Sequence, residues 1–152
     1  MFRVGFKTLY LSLETSDESN RNSIDNKVNN KEFITAVQFL KNSGFLVSQI
    51  HTYLMIGLPE LTKDLIIKSI DFVSDLGVIA HLAEFSPISN TLAYKQFGFD
   101  ETTDPCLHNN AIFPALNSDM RKEMNEVKAY LSRLRFIQYK TQNNESLLHT
   151  EQ

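Results

Sequence analysis

The chain has 152 residues, 42% of them hydrophobic and 11% aromatic, with 15 Lys and Arg against 18 Asp and Glu and one cysteine. That length is a prior for about one domain, and the hydrophobic share argues against a wholly disordered chain. A net charge of −3 and a pI near 5.8 speak against a basic nucleic-acid binder, and one cysteine excludes an internal disulfide or any site built from several thiolates. No run approaches the roughly 18 apolar residues of a membrane span. Charge interrupts Met1 to Lys7 too early for a secretory signal. The expectation is a soluble chain of a reducing, cytoplasmic compartment, with no nucleic-acid and no membrane partner.

From Lys7 to Glu14 the sequence alternates strictly, with Leu9, Leu11 and Leu13 on one parity and Thr8, Tyr10, Ser12 and Glu14 on the other. A period of two predicts a strand. A polar, Asn-rich stretch through Asn30 then reads as loop. Asn29 and Glu32 stand at capping-box spacing before Phe33, Ala36, Val37 and Leu40, an apolar stripe at helical spacing, and Gly44 ends that helix. Ile50 to Ile56, rich in β-branched and aromatic residues, is a second strand stopped by Gly57-Leu58-Pro59. Thr62 caps a second helix that turns Leu65, Ile66, Ser69, Ile70, Val73 and Leu76 toward a core and closes at Gly77. Val78 to Phe85 makes a third strand, ended by Ser86-Pro87.

Residues 89–117 read as irregular, with a turn at Ser89-Asn90. A last helix begins near Ser118, where Met120, Met124, Val127, Leu131 and Leu134 form one seam for packing on the domain. From about Thr141 the chain is polar and expected to fray. The organisation is therefore 1–117 as an α/β unit, 118–140 as a helix and 141–152 as a tail.

Strand, helix, strand, helix, strand with long crossovers predicts parallel pairing. The right-handed rule places both helices on one side when the strands are neighbours in order. Part of a (β/α) barrel and a flat doubly wound sheet both satisfy that pattern. Ligands in parallel α/β folds bind beyond the carboxyl ends of strands. Glu14, Gly57-Leu58-Pro59, and Glu84 with Ser86 occupy those ends and would converge on one site; if Glu84 faces inward with Glu14, one side of the sheet is a polar, partly wet wall. A sheet face that is simply solvated is the plainer alternative.

Three segments, Leu-Ser-Leu-Glu-Thr-Ser-Asp at Leu11–Asp17, Tyr-Leu-Met-Ile-Gly-Leu-Pro at Tyr53–Pro59 and Ala-Glu-Phe-Ser-Pro-Ile at Ala83–Ile88, come in order with these helices between them. Together they resemble the second half of the radical S-adenosylmethionine (radical SAM) core domain. The likeness is to members known as iron–sulfur oxidoreductases, some with a cobalamin-binding domain upstream. Asp-Pro-Cys-Leu-His-Asn-Asn at Asp104–Asn110 is similar to a segment that follows that core. The resemblance covers roughly residues 3–115 and implies a parallel βαβαβ half of a partial (β/α)6 TIM-like barrel, its fourth to sixth strands.

The resemblance also implies a ligand. Glu14 matches a polar position facing the ribose or amino group of SAM, and Lys27 lies near a basic position for its carboxylate. Tyr53 falls at a ribose-contacting position that is acidic in some relatives. Met55, Ile56 and Gly57 match the segment lying against adenine, with Glu84 and Ser86 completing the surface. The family's [4Fe–4S] cluster rests on three cysteines in the other half, whereas this chain has only Cys106. Glu60-Leu61 and Ser89-Asn90 also stand where relatives tend to have Gly-Gln and Pro-Gly. A missing N-terminal half-barrel, or a cysteine-bearing partner chain, is thus the implied partner, and the start of the first strand so soon after Met1 suggests truncation.

Other chemistries have less behind them. His51 and His81, assigned opposite parities in their strands, have no His/Asp/Glu set at metal spacing and read as satisfied histidines. Cys106 and His108 share one short loop without an orienting group. Glu14 with Glu84 as a hydrolytic pair lacks the Trp-rich cleft of a sugar-binding site. Two classes of function remain: part of a radical SAM enzyme, or a non-catalytic half-barrel module. The module would bind a nucleotide-like ligand or a protein through its exposed sheet edge, self-association included.

Overall fold

The computed structural model describes residues 1–17, 28–58, 60–104 and 118–148. Lys27, Pro59, Cys106 and His108 lie outside the described residues. The order is β1 (Leu9–Glu14), α1 (Asn30–Asn42), β2 (Ile50–Ile56), α2 (Lys63–Asp75), β3 (Ile79–Glu84), a short α3 (Leu92–Gln96) and α4 (Ser118–Leu148). The strands form a parallel sheet in the order β1-β2-β3.

Each crossover helix is delimited by the chemistry its ends require. Asn29 Oδ1 accepts from the Glu32 N–H at 2.8 Å while the Asn29 N–H donates to Glu32 Oε2 at 2.9 Å. This reciprocal pair satisfies backbone donors that a helix start leaves without intrahelical partners. At the other end Gly44 takes φ +102°, and the Phe45 N–H turns back to the Leu40 carbonyl at 3.2 Å. A Cβ at Gly44 would stand 2.9 Å from the Phe2 ring, so the glycine also seats the N-terminal residues. On α2 the Thr62 hydroxyl accepts from the Leu65 N–H at 3.4 Å.

All the long helices cover the same face of the sheet. Phe33 and Val37 of α1, Ile66, Ile70 and Val73 of α2, and Met124, Val127 and Leu131 of α4 share one core with Leu13, Ile50, Leu54 and Ile56. Burial of each such side chain stabilises the fold by about 1.5–3 kcal/mol before chain entropy opposes it. Thr52 is buried in this row, and its hydroxyl donates to the Leu11 carbonyl at 2.9 Å. The result is a two-layer α/β arrangement with helices on one side.

The C-terminal region differs from the sequence reading. Within the stretch read as irregular, Thr91 caps α3, its Oγ1 accepting from the Tyr94 N–H at 3.2 Å. The backbone of α4 stays helical to Leu148 instead of ending near residue 140. Residues 141–148 contain no Gly or Pro to stop it. Among the described residues no helix is long and apolar enough to cross a membrane.

Candidate functional site

The register determines what stands on the face that the helices leave free. Tyr10 aligns with His51 and Ile79, Ser12 with Tyr53 and His81, and Met55 with Ala83. Because aligned residues of parallel strands point to the same side, these form the second face. Tyr10 is 52% exposed and Tyr53 45%. Their rings stack at 5.2 Å with 17° between planes, and the His51 ring lies 4.9 Å from Tyr10. A sheet whose inner row is mostly aliphatic, with Thr52 the buried polar exception, thus carries an aromatic platform on its outer row.

His51 and His81 belong to this platform, which corrects their assignment to opposite parities. Leu54 aligns with Leu82, so the residues that alternate with them share the other face. His51 Nδ1 and His81 Nε2 are 2.8 Å apart. Arg135 reaches them from α4: its Nη2 lies 3.2 Å from His81 Nδ1 and also donates to the Ala80 carbonyl. Burial pushes both imidazoles below the ordinary value of 6.5; Arg135 lowers both further, while the Ser48 backbone partly offsets the shift at His51. The sequence carried one sign of this group: Arg135 follows Leu131 and Leu134 on the packed seam, where a long stem can run along the sheet.

The strand ends hold the residues expected at a ligand site, though not all at one place. β1 carries a bulge between Ser12 and Glu14, so that Glu14 aligns with Leu54 in the inner row. Glu14 itself has φ +63°, and the Thr15 N–H closes a tight turn around it to the Leu13 carbonyl at 2.8 Å. For a residue with a Cβ that conformation costs about 1–2 kcal/mol. A hydroxyl cluster holds the turn: Ser69 Oγ of α2 donates to Leu65 O at 3.0 Å and accepts from the Ser16 N–H at 3.0 Å, with Ser16 Oγ at 2.9 Å.

Tyr53 and Met55 stand on the open face, and Gly57 follows β2 with φ +88°. The side chain of Ile56 is fully buried in the core, so only its backbone is available to a ligand. Glu84 aligns with Ile56, and its carboxylate, 18% exposed, is ion-paired with Lys128 of α4 on the helix side. Ser86 is half-buried just beyond β3. The open face therefore gathers Ser12, Tyr53 and Met55, while Ile56 and Glu84 turn away from it.

Two hollows flank this region. One of about 270 Å³ lies at the end of β2, between Gly57, Leu61 and Thr62 and the Met120, Glu123 and Met124 side of α4. The other, about 850 Å³, is lined by Asn90, Tyr94, Lys95, Phe99 and Asp100, in the segment that follows β3. There the Thr102 hydroxyl and N–H and the Thr103 hydroxyl hold Asp100 below the usual carboxylate range. That carboxylate is thereby committed to its own loop.

The residues present do not fit an iron–sulfur cluster. The chain has one cysteine, and the described residues include no group of three metal-ligating side chains. The open face offers instead a stacked tyrosine pair as a π surface, with Ser12 and the tyrosine hydroxyls as hydrogen-bonding groups. Set against known proteins, the chain matches no family model and no curated protein.

Proposed function

We propose that this chain is the second half of a radical SAM-type partial barrel, contributing the ribose and adenine side of the SAM site, with the cysteine-bearing half supplied by further sequence or by a second chain. The observation that carries this reading is the free face of the sheet. Parallel sheets occur almost only with both faces covered, yet here the helices cover one face and leave Tyr10 and Tyr53 half-exposed on the other. A closed or nearly closed barrel converts such a face into an interior.

A groove of about 630 Å³ supports the same reading. It lies beside the edge strand β1, where Leu11 meets Lys31, Thr35, Ala36, Phe39 and Leu40 of α1. A neighbouring strand and its helix would fill that groove. In the assembled site Tyr53 and Met55 would face the nucleoside, with the backbone of Ile56 and Gly57 beside adenine. SAM would supply a 5′-deoxyadenosyl group for radical chemistry once a cluster in the other half reduces it; this chain's part is to bind and orient.

The deciding experiment is the intact mass of the protein as its own cell makes it, with SAM binding measured on the species recovered. The expected result is a species above 17.4 kDa whose added residues contain three cysteines, or the 17.4 kDa chain with a cysteine-bearing partner. Tyr53→Ala should weaken SAM binding by that species about tenfold or more, the usual worth of one stacking contact. A lone 17.4 kDa chain without SAM affinity would overturn the assignment in favour of a non-catalytic module.

A further inference from the structure

We propose that Arg135, His81 and His51 form a proton-gated latch, closed when both imidazoles are neutral, that holds the C-terminal part of α4 against the outer edge of β3. The inference is separate from the ligand reading, since it rests only on how these three side chains meet.

The direction of each hydrogen bond follows from what each group can do. A guanidinium only donates, so His81 Nδ1, 3.2 Å from Arg135 Nη2, is the acceptor. Neutral His81 then carries its proton on Nε2 and donates to His51 Nδ1 at 2.8 Å. His51 in turn must hold its proton on Nε2. The relay Arg135 to His81 to His51 has one tautomer at each ring, and both rings are neutral in it.

One proton breaks it. Protonated His81 has an N–H at Nδ1, which would face the donors of Arg135. Protonating His51 places an N–H against the Nε2–H of His81; His81 could accommodate it only by moving its own proton to Nδ1, against Arg135 again. Arg135 acts on both rings and His51 also acts on His81, and the titratable neighbours across the face are Tyr10 of β1 and Tyr53 of β2.

The latch sits where release has a local effect. β3 is an edge strand, and Arg135 donates to its Ala80 carbonyl. Earlier turns of α4 are held independently by buried Met124, Val127 and Leu131 and by the Tyr130 hydroxyl donating to Asp71 at 2.5 Å. Beyond Arg135, the side chains of Phe136, Ile137 and Tyr139 are exposed. Among the described residues Arg135 Nε is buried without an acceptor, which leaves the closed state little reserve.

The sign of the pH effect follows. Both histidines titrate below their ordinary 6.5, so the latched state binds fewer protons than the released one. Closure is therefore favoured above that value and is lost as pH falls through and below it.

The test uses the whole chain. Nitrogen-15 NMR of the imidazoles at about pH 7.5 should show Nε2–H tautomers at both rings. Lowering the pH to about 5 should reduce amide-exchange protection of residues 135–148 about tenfold, with residues 120–131 unchanged. His81→Asn, which keeps an acceptor for Arg135 and gains no proton, should retain protection at both pH values. Arg135→Gln should lack it at both. A proton on Nδ1 of His81, an unchanged pH response in either variant, or no response in the parent would overturn the latch. The tautomer measurement needs no variant and stands if one fails to fold.

Discussion

Glu14 closes a strand in a left-handed conformation, φ +63°, that glycine adopts freely and glutamate does not. The turn survives because its surroundings over-determine it, through the Thr15 N–H bond to Leu13 and the Ser16–Ser69 contacts. Glu14→Gly is expected to raise stability by about 1 kcal/mol and Glu14→Val to lower it by a similar amount, read as urea midpoints. A loss of stability in the glycine variant would mean that the interactions of the carboxylate outweigh the strain. The position of Glu14 at a strand end was legible from the alternation that stops there. The bulge was not: strict alternation through Leu13 and Glu14 gives no sign that the backbone slips by one residue against β2.

At the scale of elements, the capping box at Asn29, the Thr62 cap and the stops at Gly44 and Gly77 were all readable, because each is a local hydrogen-bonding requirement met by a nearby residue. The α4 seam was readable too, and it is what attaches the helix. Leu131→Ala should lower stability by about 2–5 kcal/mol. Lys63→Met, which breaks the Lys63–Glu126 ion pair on the surface, should leave the unfolding midpoint nearly unchanged. Chemical denaturation of both variants checks the contrast. Comparable losses would show that α4 is held by charge as much as by its apolar seam. Glu84 marks the limit of local reading: its partner Lys128 is 44 positions away in the sequence (128 minus 84), and nothing near either residue announces the pairing.

For the whole molecule, the sheet has two edges that are treated differently. Arg135 engages the outer edge of β3, while β1 borders the apolar groove lined by Leu11, Ala36, Phe39 and Leu40. If the other half-barrel adds at β1, Phe39→Glu should leave the isolated chain's stability within about 0.5 kcal/mol, since Phe39 is 72% exposed. The same change should abolish assembly with the cysteine-bearing half, measured by co-purification. Assembly that persists would move the joint elsewhere. What the sequence by itself determined was the succession of β1, α1, β2, α2 and β3, the caps of α1 and α2, the apolar seam of α4 and the mostly aliphatic row facing the helices, since periodicity and end chemistry are local. Only the tertiary structure decided that His51 and His81 meet, that Arg135 joins them and that Glu84 turns to α4. Those contacts depend on the register between strands and on where a distant helix crosses them, which no single segment encodes.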